Sequence, residues 1–268
     1  ADISRSERVD YQARDGKTIT SYLMLPPGKT KADGPFSMIA MPHGGPEARD
    51  HANFDFWSQF LTSRGYAVFK PQFRGSDGFG RSYVMAGRGE FGGLMVDDTV
   101  DGVRHMIKTG VANPDKICVN GASYGGYQAM ALPVREPDMF KCALSVAGVS
   151  DLPKMTDFVV DKTGRTSGSV KYWNQVMGDR IKEKDKLESQ SPSRHVDKIK
   201  AAMLLVHGET DVTVPIQQST IMSKALKKAG RNDYKVLMLE DDDHNLTRAQ
   251  SRRKLLEASE TFFATYLK

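Results

Sequence analysis

A mostly parallel β-sheet with helices on both faces is the fold class this sequence predicts, and three observations predict it. Short apolar runs alternate with segments of helical periodicity along the chain. At 116–132 an apolar run, a glycine-rich turn and a helix-forming run follow one another directly. The length of 268 residues suits one α/β domain with a substantial core.

The elements follow in order. Ser6 to Ala13 and Lys17 to Leu25 read as two strands joined by the hairpin signal Asp15-Gly16. Phe36 to Met41 is the third strand, followed by Pro42-His43-Gly44-Gly45-Pro46. His51 to Arg64 carries Phe54, Trp57, Phe60 and Leu61 at helical spacing and stops at Gly65. Tyr66 to Lys70 is a strand and Gly92 to Lys108 a helix. Lys116 to Asn120 is a buried strand, and Tyr127 to Leu132 opens a helix. Lys141 to Ala147, Ala202 to Gly208 and Tyr234 to Leu239 complete the strands. The least regular stretch, 151–200, is long for a connection between sheet strands, which predicts a cap or pocket wall. Tyr172 and Trp173 within it suit either a substrate pocket or packing beneath the cap.

Chemistry concentrates at Gly121-x-Ser123-x-Gly125, the nucleophile-elbow pattern between a strand and a helix. So sharp a turn needs glycines beside the serine, and it lifts the hydroxyl clear of the sheet edge. A hydroxyl is a weak nucleophile near neutral pH and needs a base, which in turn needs an orienting acid. On α/β-hydrolases the order is Ser, then Asp or Glu, then His. Asp211 follows the strand ending at Gly208, and His244 follows the strand ending at Leu239, both at the edge where open α/β sheets place their chemistry. Ser123, Asp211 and His244 are therefore the expected triad. Glu209 and the run Asp241-Asp242-Asp243 are the rival acids; the run reads as a solvated turn. His43, His51 and His105 precede the serine, His195 lies in a polar connection, and His207 reads as a hydrogen-bonded strand-end residue. Acyl transfer also needs oxyanion donors. The N–H of Tyr124 is one, and Gly45, chosen over Gly44, is the other.

His-Gly-Gly-Pro at 43–46, Phe-Arg-Gly-Ser-x-Gly-Phe-Gly at 73–80, Gly-x-Ser-Tyr-Gly-Gly-Tyr at 121–127 and the Asp211 and His244 loops together resemble the catalytic domain of the prolyl oligopeptidase family. The resemblance is to its acylaminoacyl peptidase and dipeptidyl-peptidase-like branch, from about residue 7 onward. It implies an α/β-hydrolase fold and a serine peptidase acting on peptide or acyl-peptide bonds, with Ser123 as nucleophile, His244 as base, Asp211 as its orienter, and Tyr124 and the 44–45 loop as oxyanion donors. Such enzymes usually carry an N-terminal β-propeller that restricts substrate size, and 268 residues leave no room for one. The expectation is a single catalytic domain over 1–268, with a homo-oligomer or a separate propeller as the conceivable partners. A carboxylesterase acting on small esters uses the same residues and is the first alternative. An inactive C-terminal fragment or assembly module is the second.

Other classes recede. Gly87-x-Gly89-x-x-Gly92 matches a dinucleotide fingerprint, but no convincing buried strand precedes it. Neither HExxH nor paired CxxC occurs, so no metal and no cofactor are expected. A net charge of +5 is modest and dispersed, and Arg252-Arg253-Lys254 falls on the terminal helix, so nucleic acid is not an expected partner. No apolar run is long enough to span a membrane. Cys118 and Cys142 fall on neighbouring strands in apolar surroundings and read as buried free thiols. The chain starts at Ala1 without a signal peptide, which fits a processed protein or a C-terminal piece and leaves the compartment open, the cytoplasm being slightly favoured.

Overall fold

A computed structural model describes residues 3–267. The chain runs β1 (Ser6–Gln12), β2 (Thr18–Met24), β3 (Phe36–Ala40), α1 (Phe56–Ser63), β4 (Ala67–Pro71), α2 (Arg81–Met85), α3 (Leu94–Lys108), β5 (Ala112–Ala122) and α4 (Tyr124–Arg135). It continues with β6 (Cys142–Val146), α5 (Leu152–Thr163), α6 (Gly168–Val176), α7 (Lys184–Ser189), β7 (Ala202–Gly208), α8 (Gln217–Lys228), β8 (Tyr234–Leu239) and α9 (Ala249–Tyr266). The strands form one eight-stranded sheet in the order β1-β2-β4-β3-β5-β6-β7-β8. The β1–β2 and β2–β4 pairs are antiparallel, and every pair from β4 to β8 is parallel. This is the α/β-hydrolase fold.

Parallel strands covered on both faces show no polar alternation, because each successive side chain enters one core or the other. Met203 and Leu205 of β7 enter one core with Val100 of α3, Leu132 of α4 and Met222 of α8. Leu204 and Val206 enter the other, with Leu61 of α1 and Phe263 of α9. The sheet thus holds the ends of β5, β7 and β8 as a fixed edge.

Four expectations need correction. Cys118 and Cys142 are not free thiols but a disulfide. Parallel pairing sets them directly opposite on β5 and β6, with Cα atoms 4.7 Å apart, within the span a disulfide bridges. Helix α1 starts at Phe56 rather than His51, because the Asp55 carboxylate accepts from the N–H groups of Trp57 and Ser58 and caps it there. Phe54 is left outside, exposed. The connection at 151–200 is more regular than its composition suggests and carries α5, α6 and α7. Asp151 and Ser167 cap the first two of these through the N–H groups of Lys154 and Val170. Finally, Asp241-Asp242-Asp243 is not uniformly solvated, since Asp242 is buried.

Candidate active site

Ser123 occupies the turn between β5 and α4 with φ 59° and ψ −117°, a conformation non-glycine residues seldom adopt. Packing enforces it. A Cβ at position 121 would lie 2.4 Å from the Gly125 carbonyl group, and one at 125 would lie 2.1 Å from the Pro42 oxygen. The turn is anchored by the Ser123 N–H, which donates to Val146 O on β6 (2.9 Å). Helix α4 begins at Tyr124, three residues earlier than its periodicity suggests, so the Tyr124 N–H sits in the first turn, where donors have no partner inside the helix.

Asp211 lies beyond the end of β7 with its side chain fully enclosed. One carboxylate oxygen accepts from the N–H groups of Thr213 (2.8 Å) and Val214 (2.9 Å). The other accepts from His244 Nδ1 at 2.6 Å. Burial alone would raise this carboxyl, but hydrogen bonds from His207 and His244 hold it well below the usual carboxylate range. It is ionised, and it sets the His244 tautomer with the proton on Nδ1 and Nε2 open.

His207 is the structural residue its strand-end position suggests. It is wholly buried, and its Nε2–H donates to Val214 O (2.9 Å) while passing 3.3 Å from Asp211. Its Nδ1 meets the Ser219 hydroxyl at 2.8 Å. The rival acids lie elsewhere. Glu209 is exposed, Asp241 lies near Arg248, and Asp243 accepts from the Asn245 N–H. Asp242 acts through its backbone: its carbonyl accepts from the Thr210 N–H (3.0 Å) and hydroxyl (2.9 Å), tying the Asp211 loop to the His244 loop.

On the opposite side, His43 is half-buried and stacks on Phe73 with ring centroids 4.3 Å apart. Burial lowers its pKa and favours the neutral ring. A carbonyl only accepts, so the His43 Nδ1–H donates to Gly44 O (2.7 Å), while Nε2 lies 2.8 Å from the Ser76 hydroxyl, which itself donates to Phe73 O (2.6 Å). The Gly44–Gly45 peptide is trans, so holding its C=O toward His43 turns the Gly45 N–H the other way. Residue 45 has φ 125°, which suits glycine.

Two cavities share Ser123 and Gly45. One, of about 370 Å³, is walled by Phe91, Tyr124, Met155, Phe158, Trp173 and Met177 among others. The second, of about 490 Å³, includes His244 together with Gly44, Phe56, Trp57, Leu246 and Arg252. The structure therefore joins His244 to Asp211 directly and brings Ser123 to the same cavity as His244. Among the described residues it does not close a Ser123–His244 hydrogen bond. Trp173 lines the first cavity; Tyr172, packed edge-on against it, is not part of that lining. The residues sequence reading missed are Phe91, Met155, Phe158 and Met177 on one side and Arg252 on the other. Each sits on an ordinary-looking helical or loop position, so no local signal marks them.

The model of the prolyl oligopeptidase family matches residues 52–268. A dipeptidyl aminopeptidase BIII from Pseudoxanthomonas mexicana is 33% identical over 97% of this chain and 38% of its own length. An acylamino-acid-releasing enzyme from Arabidopsis thaliana is 28% identical over 89% of this chain and 31% of its own length. A puromycin-hydrolyzing peptidase from Mycobacterium tuberculosis superposes with a TM-score of 0.89 at 26% identity, over 98% of this chain and 39% of that one. The chain thus spans less than two fifths of the length of these relatives. With the family model matching most of its residues, the chain belongs to the prolyl oligopeptidase family.

Proposed function

We propose that these 268 residues form one catalytic domain of a serine peptidase that cleaves peptide or acyl-peptide bonds through an acyl-enzyme intermediate. The observation that carries the reading is the 2.6 Å His244–Asp211 pair opening into the same cavity as an elbow serine. Family membership and the peptidase names of its relatives support it.

In this reading His244 Nε2 takes the Ser123 proton as Oγ attacks the scissile carbonyl carbon. The carbonyl electrons move onto oxygen, where the N–H groups of Tyr124 and Gly45 receive the charge. The C–N bond breaks as the imidazolium returns its proton to the leaving nitrogen. Water, deprotonated by His244 Nε2, then attacks the ester carbonyl carbon, and the C–Oγ bond to Ser123 breaks as the imidazolium returns that proton to Oγ, releasing the acid. Asp211 remains ionised throughout and stabilises the imidazolium.

The 370 Å³ cavity takes the acyl side, because it contains Tyr124 and Gly45 but not His244. Its Phe91, Phe158, Trp173 and Met177 walls suit a large apolar side chain before the scissile bond. The 151–200 segment supplies most of that wall and serves as the cap.

The test compares an acyl-phenylalanyl p-nitroanilide with a short-chain p-nitrophenyl ester in wild type and Ser123→Ala. Loss of a triad nucleophile costs on the order of 10⁶ in turnover, so both activities should vanish together in the variant. Ester turnover without anilide turnover in wild type would replace this reading with a carboxylesterase.

A further inference from the structure

We propose that the cavity on the His244 side is the leaving-group subsite, and that it takes a short peptide segment ending in a free α-carboxylate held by Arg252. The proposal rests on the peptidase reading above. A leaving nitrogen must receive its proton from His244, so the departing segment lies on the side where His244 lies. Of the two cavities that meet at Ser123 and Gly45, the 490 Å³ one contains His244 and the other does not.

The chemistry of its lining selects the segment. Phe56 and Trp57 at the start of α1 line the cavity together with Leu246 and Leu255, an apolar surface that suits an apolar side chain directly after the scissile bond. Arg252 interrupts that surface.

Arg252 is half-buried on α9. Its Nη1 donates to the carbonyls of Leu246 (3.2 Å) and Thr247 (3.0 Å), which fixes the guanidinium against the His244 loop. Among the described residues it forms no ion pair, whereas the neighbouring Arg253 pairs with Glu257 and Arg248 lies near Asp241. A fixed cation with donors to spare matches a carboxylate, which accepts on two oxygens and carries the opposite charge. In a peptide the carboxylate nearest a scissile bond and independent of side chains is the C-terminus. The site therefore favours cleavage just before the last one or two residues of a short peptide.

The experiment measures kcat/KM for N-acetyl-Phe-Leu with a free carboxylate and for its C-terminal amide, in wild type, Arg252→Gln and Arg252→Lys. A charge-assisted hydrogen bond predicts that wild type prefers the acid by about tenfold or more. Arg252→Gln should bring the acid-to-amide ratio close to one, and Arg252→Lys should restore part of it. Each ratio is internal to one variant, so a general loss of folded enzyme does not mimic the effect. Equal cleavage of acid and amide by wild type would overturn the proposal and leave the peptidase reading standing. So would a preference that Arg252→Gln does not change. Cleavage of neither peptide, with Ser123 still labelled by a fluorophosphonate, would overturn the peptidase reading and the proposal together.

Discussion

Two walls enclose Ser123, and they are held in place by different means. The wall of the elbow and the loops after β7 and β8 is pinned by backbone hydrogen bonds. The Ser123 N–H is bound to Val146 O, Ala147 N–H to Val206 O (2.8 Å), Glu209 N–H to Leu239 O (3.0 Å) and Thr210 N–H to Asp242 O. The wall formed by α5 and α6 reaches the serine only through side chains, among them Met155, Phe158 and Trp173. Its attachment to the sheet side is set back from the cavity, where Gln218 of α8 accepts from the N–H groups of Ser150 and Asp151, both at 2.8 Å. Backbone pins fix positions to within tenths of an ångström, which proton transfer and oxyanion contact require. Apolar side chains fill space and can be exchanged without moving the chain. In the proposed reading, chemistry sits on one wall and selectivity on the other.

Breaking the pin behind Gly45, on the loop after β3, should slow every substrate alike. His43→Phe keeps the ring against Phe73 but deletes the Nδ1–H that holds Gly44 O. With the Gly45 N–H free to turn, part of the oxyanion stabilisation is lost, and full loss of a donor costs about 10²–10³ in kcat. We expect kcat to fall by about 10- to 100-fold with KM little changed, and by the same factor for anilides carrying Phe or Ala before the scissile bond. Steady-state kinetics on the two anilides check it. A selective loss on one of them would place His43 in the specificity wall instead.

Altering the second wall should do the opposite. Phe158→Ala enlarges the acyl-side cavity without touching a backbone pin. Apolar pocket contacts discriminate by roughly 1–3 kcal/mol, so kcat/KM for the Phe anilide should fall about tenfold while that for the Ala anilide stays within about twofold. Equal losses on both would mean that the cap helices also position the catalytic groups.

The same division explains what could be read in advance. Gly121, Ser123 and Gly125 are legible because their identities are dictated by a turn spanning five residues, and the constraint is local. Asp211 and His244 are legible because each follows a strand whose apolar run is recognisable, so order along the chain stands in for position in space. What escaped depends on packing between distant segments. Cys118 and Cys142 meet because parallel pairing puts them in register, and no property of either strand alone specifies register. Asp242 belongs to an acidic run that suggests solvent, yet its burial follows from the tie between two loops. Trp57 and Arg252 meet one cavity from opposite ends of the chain. Helices α6 and α7 are short, nine and six residues, so tertiary contacts more than intrinsic propensity hold them.

A third pinned region lies away from both walls, and it tests whether pinning matters where no substrate reaches. Arg74 is almost wholly buried between α3 and the β1–β2 hairpin. It donates from its N–H and Nε to Asp98, both at 2.8 Å, and from Nη1 and Nη2 to Asp15 at 2.8 and 3.0 Å. The bond from Arg74 outweighs partial burial and brings Asp15 down to about 2. An unfolded aspartate titrates near 3.9, so the folded state binds the proton less readily than the unfolded one. The stabilisation is therefore complete above about pH 4 and is lost as pH falls through about 2. The Asp15 side chain is 40% exposed, so solvent screens the pair and its worth is below about 1 kcal/mol. Asp15→Asn should lower stability by that small amount at pH 7, and urea titrations at pH 7, 4 and 2 should show the gap to wild type closing at the lowest pH. Activity of the variant on the Phe and Ala anilides should stay within twofold of wild type at pH 7, because the hairpin contributes no lining to either cavity at Ser123. A gap that persisted at pH 2 would mean that Asp15 supports the hairpin through its turn geometry rather than through its charge on Arg74.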